Sequence, residues 1–353
     1  MKKLIFLFCL ISSVVFGQDS LKTETDTTKS LSVSGSVDVY FRQNLNAPNG
    51  SNAMAPNTSF GNLNGFSLGM VNIAAEYKYK KAGVVMDVFS GPRAEDATFL
   101  SNTLRPDGNS NILNQLYVYY DVNGDLKLTL GKFNTFVGYE CIQPTSNFNY
   151  TTSYMFSYGP FTHTGVKLDY SKNDFNVLVA LMNKTDYTEF NNSNSYTVGG
   201  QIGYKEAVYL NVLYGNQGIY SDKTLHLDFV SGFDIGSRFY LGSNVTYNTT
   251  DGVGFYGASL YPQIKFSEST TIGFRSEYFS ETKFGYGAIG AYDIDGNSSI
   301  MENTVTLSYV TGGLTIKPEF RVDSGLDQAT FVDNDNNATR NLYSFVISTI
   351  YEF

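Results

Sequence analysis

In LSVSGSVDVYFRQ, residues 31–43, apolar and polar side chains alternate. Val33, Val37, Val39 and Phe41 fall on one side of an extended chain; Ser34, Ser36, Asp38, Tyr40 and Arg42 fall on the other. A strand repeats every two residues, so the segment has one apolar and one polar face. The same period returns as far as the last residue, in runs joined alternately by short turns and longer polar segments. LYVYYDVNGDLKLTLG holds Asn123-Gly124 between two alternating runs, the strongest short hairpin signal. Other tight connections fall near Lys80-Lys81, 171–174, 205–207, 234–237, 267–270 and Gly312-Gly313; long ones cover roughly 44–64, 92–110, 134–160, 184–194, 215–223, 249–253, 281–300 and 324–340. The count is about 16 strands of about ten residues, the length at which a tilted strand crosses a bilayer.

This pattern constrains the fold more than composition does. A strand in lipid must satisfy every backbone polar group, and only closure of the sheet removes its edges. The expected fold is all-β: a transmembrane antiparallel β-barrel of about 16 strands, apolar side chains toward lipid and polar ones toward a wet interior. The competing arrangement is a soluble sandwich or β-helix that buries the apolar face. Even hairpin spacing argues against it, and so does the final run NLYSFVISTIYEF, which ends the chain on Phe353. A terminal strand closing on an aromatic residue is similar to the assembly signal of bacterial outer-membrane barrels. Trp is absent, so interfacial girdles would have to use the 27 Tyr and 27 Phe.

MKKLIFLFCLISSVVFGQ pairs Lys2 and Lys3 with an apolar run too short to span a bilayer, and reads as a signal peptide over 1–17. Leu7 and Phe8 stand where a lipid attachment at Cys9 would need small residues. With the leader removed, Cys141 is the only cysteine, and an intramolecular disulfide is not expected. Residues 18–30 read as a flexible lead-in and 31–353 as one barrel domain. The net charge of -9 becomes more negative without Lys2 and Lys3, which argues against nucleic acid as a partner.

LTLGKFNTFVGYE and YMFSYGPFTHTGVKL, flanking the third long connection, resemble the OmpL-like family of outer-membrane β-barrel porins. The resemblance extends more weakly over nearly the whole chain. It implies an outer-membrane barrel that works as a diffusion pore, without identifying a solute.

Catalytic and metal motifs are scarce. His163 and His226 are the only histidines, and neither has a second His or Cys at ligand spacing. Ser157 near His163 is the one tempting nucleophile, but no G-x-S-x-G elbow accompanies it. DIDGN at 293–297 and DNDNN at 333–337 lack the full calcium-loop pattern. Neither an enzyme, a cofactor nor a metal is therefore expected.

The reading is a porin of the cell outer membrane that passes small hydrophilic solutes passively; the alternative is a surface-binding barrel, adhesin or receptor. Strand phase nominates Asp38, Arg42, Asp87, Lys127, Arg275, Glu277, Lys317, Glu319 and Arg321 as pore-lining, with Lys132 and Glu140 flanking the start of the third loop. Mixed signs predict weak ion selectivity. The third loop, 134–160, is dense in aromatic residues, and the expectation is that it folds inward as a constriction using Tyr139, Asn147, Tyr150, Tyr154, Tyr158 and His163. Expected partners are outer-membrane lipid, small hydrophilic solutes and the barrel-assembly machinery through Phe353, with a homo-oligomer left open.

Overall fold

The computed structural model describes residues 29–104, 110–188, 191, 194–217 and 223–353. The leader and most of the lead-in lie outside these residues. The strands are β1 (Lys29–Asn44), β2 (Gly65–Tyr79), β3 (Ala82–Ser90), β4 (Leu113–Asn123), β5 (Leu126–Asn134), β6 (Thr162–Lys172), β7 (Phe175–Met182) and β8 (Thr197–Tyr204). They continue with β9 (Val208–Gly215), β10 (Thr224–Ile235), β11 (Phe239–Thr250), β12 (Val253–Lys265), β13 (Thr270–Thr282), β14 (Ser298–Thr311) and β15 (Leu314–Gly325). A two-stranded ribbon, β16 (Phe331–Val332) with β17 (Ala338–Thr339), precedes the last barrel strand, β18 (Asn341–Glu352). β1 begins two residues before the expected start at Leu31.

Each strand pairs antiparallel with its chain neighbour, and β1 pairs with β18, for example Val37 opposite Tyr351, so the sheet closes into a barrel of 16 strands. The last ladder rung joins Gly35 and Phe353, each amide donating to the other's carbonyl at 3.0 Å. Closure leaves no open edge along the spanning part of the wall, which is what a hydrocarbon surround requires.

The two faces follow the sequence period. Val33, Val37 and Val39 are exposed on the outer face, while Ser36, Asp38, Tyr40 and Arg42 are buried inside. In β18 the outward set is Phe345, Ile347 and Tyr351. Its inward set mixes Ser344 and Ser348 with Val346 and Ile350, and the latter two pack on Tyr40 and Tyr150. Alternation breaks in β2 because Val37 pairs with Val71 but Val39 pairs with Leu68. Gly69 and Met70 are both buried there, the mark of a bulge that places two successive residues on one face.

The short turns lie at one end with Phe353; at the other end lie seven longer connections and one two-residue turn, Asp251-Gly252, where the sequence pattern predicts a longer link over roughly 249–253. One of these contains a helix the period-two reading did not anticipate, α1 (Pro92–Leu104). Another contains a single-turn helix, α2 (Tyr154–Tyr158), capped by Ser153, whose Oγ accepts from the Phe156 amide.

Candidate functional site: a lumenal loop held by wall charges

Residues 135–161 leave β5 and run into the barrel rather than over it. The first arm passes the wall at β8, β10, β11 and β12. The Gln201 side chain donates to the Phe136 carbonyl at 2.9 Å, and the Gly138 amide donates to Asp228 at 2.9 Å. Tyr139 stacks on Tyr261 with ring centroids 4.0 Å apart and donates to the Tyr240 hydroxyl at 3.1 Å. A turn follows in which Asn147 bonds both the amide and the carbonyl of Cys141.

The returning arm, 149–156, gives its backbone to the wall and to Glu140 of the first arm. Tyr150 and Thr151 amides donate to Glu319 at 2.8 and 3.2 Å, and the Thr151 hydroxyl bonds the same carboxylate. Ser153 donates through its amide and hydroxyl to Glu140, at 2.8 and 2.6 Å. Tyr154 and Met155 amides donate to Glu277, each at 2.7 Å. Carbonyls are met by cations: Thr151 by Arg275 at 2.6 Å, Thr152 by Arg321 at 2.8 Å, Asn147 by Lys317 at 2.5 Å, and Tyr150 by Arg93 at 3.2 Å. Charge-assisted bonds of this kind are about twice as strong as neutral ones.

The charges also hold one another. Arg275 forks onto Glu302 through Nε and Nη2, at 2.8 and 3.1 Å, and bonds Glu140 at 2.7 Å. Arg321 forks onto Asp323. Asp38 accepts from the Tyr150 hydroxyl at 2.6 Å and the Met70 amide at 2.8 Å. All are buried, so their pairing is what makes them tolerable away from water.

Small wall residues make room for the loop's bulky ones. A Cβ at Gly199 would lie 2.6 Å from Phe136, one at Gly242 2.5 Å from Tyr139, and one at Gly257 2.8 Å from Met155; at Gly273 it would collide with Phe148. Three apolar clusters then fill the level of the loop: Phe133, Phe136, Leu178, Met182 and Leu213; Phe60, Met70, Ile142, Phe156 and Phe161; and Tyr154, Met155, Phe255, Phe279 and Ile289.

Of the residues nominated from sequence, Asp38, Arg42, Asp87, Arg275, Glu277, Lys317, Glu319 and Arg321 are inside the barrel and buried. Lys132 and Glu140 join them. Asp87 is held by the amides of Asn114 and Gln143, and Lys132 bonds the Leu113 carbonyl at 2.6 Å. Arg42 bonds Asn64 and the Met54 carbonyl, toward the loop end. Lys127 stands apart, near the short turns, with its side chain 43% exposed and 3.9 Å from Asp121. Tyr139, Asn147, Tyr150 and Tyr154 are in the crossing loop; Tyr158 donates to the Asn57 carbonyl at 2.8 Å. His163 sits on β6 and bonds Thr135 at the loop's root, and His226 bonds Asn248. Outside the spanning strands, Asp186 ties the loop's exit by accepting from the Phe161 and Thr162 amides at 2.7 Å, and burial pushes its carboxyl up to about 7.

Glu302, Asp323, Asp228 and Arg93 were not nominated. The first two occupy inward phases of β14 and β15, two residues from Thr304 and Arg321, so the same period could have found them. Arg93 lies in a connection, where no period operates.

Three cavities lie beneath the loop on the short-turn side, of about 600, 430 and 690 Å³. The first and third share Ser32, Glu76, Val85, Gln115, Asn134 and Thr135 in their linings, which makes them one vestibule.

A closed antiparallel barrel with a charged lumen crossed by a connection from the loop end is a porin-type outer-membrane barrel. The model of the family described as "Putative beta-barrel porin-2, OmpL-like" matches residues 30–353, and the chain belongs to that family. It is an outer-membrane porin. No curated protein matches the chain. Among solved structures it is similar to an anion-selective porin from Comamonas acidovorans, with 9% identity over 92% of this chain and 100% of that one, TM-score 0.59. It is also similar to Salmonella typhi OmpF in complex with daunomycin, with 12% identity, 92% and 97% coverage, and TM-score 0.59. OmpT of Vibrio cholerae in its trimer form gives 9% identity, 92% and 99% coverage, and TM-score 0.58. At these identities the likeness is one of fold.

Proposed function

We propose that the barrel conducts small hydrophilic solutes by passive diffusion, and that residues 135–161 set its bore and charge preference. The carrying observation is that wall carboxylates and cations grip both the amides and the carbonyls of 149–156, which keeps a long connection at a fixed depth in the lumen. A barrel of 16 strands is wide enough for water, so a fixed loop rather than the wall determines what passes. The loop's root carries Lys132 and Glu140, which contribute to the field along the path.

This role is one of passage rather than catalysis, and it needs no cofactor or metal. The solutes reach the loop from the vestibule on one side and the long connections on the other. Phe353, paired with Gly35, fits a role in recognition by the assembly machinery, and the apolar outer wall accepts lipid or a second copy of the chain.

Deletion of residues 143–154 should raise single-channel conductance in planar bilayers severalfold, and Lys132→Glu should move selectivity toward cations. Liposome swelling with sugars and amino acids of graded size measures the bore. A heat-modifiable barrel in which neither variant changes conductance or selectivity would remove the loop from the solute path.

A further inference from the structure

We infer that the loop end of the barrel carries a binding site for a small organic ammonium with an apolar body, separate from the lumen. A cavity of about 410 Å³ lies between residues 57–63, the first turns of α1 and the β2 bulge at Gly69. It shares no lining residue with the cavities below the loop. It faces the side from which a compound outside the cell arrives.

The chemistry of its wall is one-sided. Thr58 is 6% exposed, and its Oγ1 has no hydrogen-bond partner among the described residues. Asn62 turns its Nδ2 to the Thr58 carbonyl, which leaves its Oδ1 an unused acceptor. Glu95 and Asp96 stand on α1, exposed, and Asp96 accepts one long bond from the Phe60 amide at 3.4 Å.

Among the described residues the single cation in this wall is largely committed elsewhere. Arg93 lies with its guanidinium 4.4 Å from the Phe60 ring and 4.9 Å from the Tyr150 ring, bonds the Ile142 and Tyr150 carbonyls, and has Asp38 at 3.9 Å. What remains for a ligand is therefore two carboxylates, the Asn62 Oδ1 acceptor and the Thr58 hydroxyl, which can accept as well as donate. Beside them lies apolar surface from Phe99, Leu63 and Leu68, each half exposed or more.

An ammonium group satisfies those acceptors and meets opposite charge, and a hydrocarbon or aromatic body covers the apolar side. A carboxylate ligand would face Glu95 and Asp96. A neutral sugar would need several donors in the wall as well, and of the Arg93 guanidinium only Nε is without a hydrogen-bond partner, with Asp38 at 3.9 Å from it.

Titration calorimetry on the full barrel in neutral detergent tests the assignment with phenethylammonium, phenethyl alcohol, 3-phenylpropionate and a methyl glucoside. Phenethylammonium should bind at least about tenfold more tightly than either isosteric phenyl compound, and added salt should weaken it. The double variant Glu95→Gln, Asp96→Asn keeps the hydrogen-bonding shape and should lose about tenfold; Thr58→Val should lose less. Heat-modifiability shows that the variants are folded. Equal binding of the alcohol would mean apolar partitioning only, and unchanged affinity in the double variant would mean that the carboxylates are not the recognising groups. Either result overturns the proposal, as does preferential binding of the glucoside or no binding at all. None of these outcomes depends on conduction, so the pore reading stands or falls separately.

Discussion

Residues 135–161 and residues 326–340 leave the same end of the barrel, yet the first lies in the lumen and the second stays above it. The difference is where each finds partners for its backbone. In the later loop Asp333 accepts from the amides of Asp335 and Asn337 at 2.9 and 2.8 Å, and Asp333 and Asn337 pair through their backbones. The tip is self-contained and exposed. Asp293 repeats the device with Asp295 and Asn297. In 149–156 only the Phe156 amide finds a local acceptor, Ser153 Oγ; Ser153 reaches Glu140 on the loop's other arm, and the amides of Tyr150, Thr151, Tyr154 and Met155 go to Glu319 and Glu277 on the wall. A loop that satisfies itself remains outside; one that satisfies itself only in part is drawn to charges on the wall.

The largest expected effect comes from cutting the wall's side of that bargain. Arg275→Ala removes the cation shared by Glu302, Glu140 and the Thr151 carbonyl, and leaves two buried carboxylates short of it. The cost should be about 3–5 kcal/mol in urea unfolding from vesicles, with larger and noisier conductance as the loop loosens. Arg275→Lys should recover only part, because one ammonium cannot reproduce the fork onto Glu302. Unchanged stability in Arg275→Ala would show that the loop is held by its apolar clusters instead.

Next in size is the contrast between the wall's two faces. Val37→Arg places a charge in lipid and should cost about 2–4 kcal/mol. Ser36→Arg should cost much less: although Ser36 is buried and bonds Asn72 at 2.6 Å, it borders the 600 Å³ vestibule, where a guanidinium can reach water. Equal losses at the two sites would reverse the assignment of lumen and lipid.

Steric support of the loop is the third comparison. Gly257→Leu fills the place of the Met155 side chain and should cost about 1–3 kcal/mol while displacing the loop, visible as altered conductance. Ala258→Leu, one residue along on the outer face, should leave conductance unchanged. If both variants conduct like the parent, the close fit at Gly257 is not what seats the loop.

How much of this was legible in the sequence follows from what carries each signal. Period two is a property of the strand itself, so the hairpins, the strand total and the phase of Asp38, Arg275 and Arg321 could be read directly. The irregularity in β2 is the Gly69–Met70 bulge, an inserted residue that alternation alone reads as noise. The aromatic density of 134–160 pointed inward, but which wall charge meets which amide depends on the approach of strands more than 100 residues apart, as in Tyr150 and Glu319. α1 was missed because it sits in a connection and has no apolar face of helical period to announce it.

The smallest effect is expected at the self-contained loop. Asp333→Ala deletes the acceptor of the Asp335 and Asn337 amides, but the site is exposed and water takes the vacated bonds. The neighbouring ribbon of Phe331–Val332 with Ala338–Thr339 still closes the tip, and Phe331 still packs beside Ile289 and Leu342. Unfolding midpoint, conductance and selectivity should therefore match the parent protein. The matched cut on the other loop is Glu319→Gln, which keeps one acceptor oxygen but loses the charge that draws the Tyr150 and Thr151 amides, and it should change conductance. If Asp333→Ala altered conductance as much as Glu319→Gln, the outer tip would have to reach the path of the solute, and the division between a loop that stays outside and a loop held by the wall would fail.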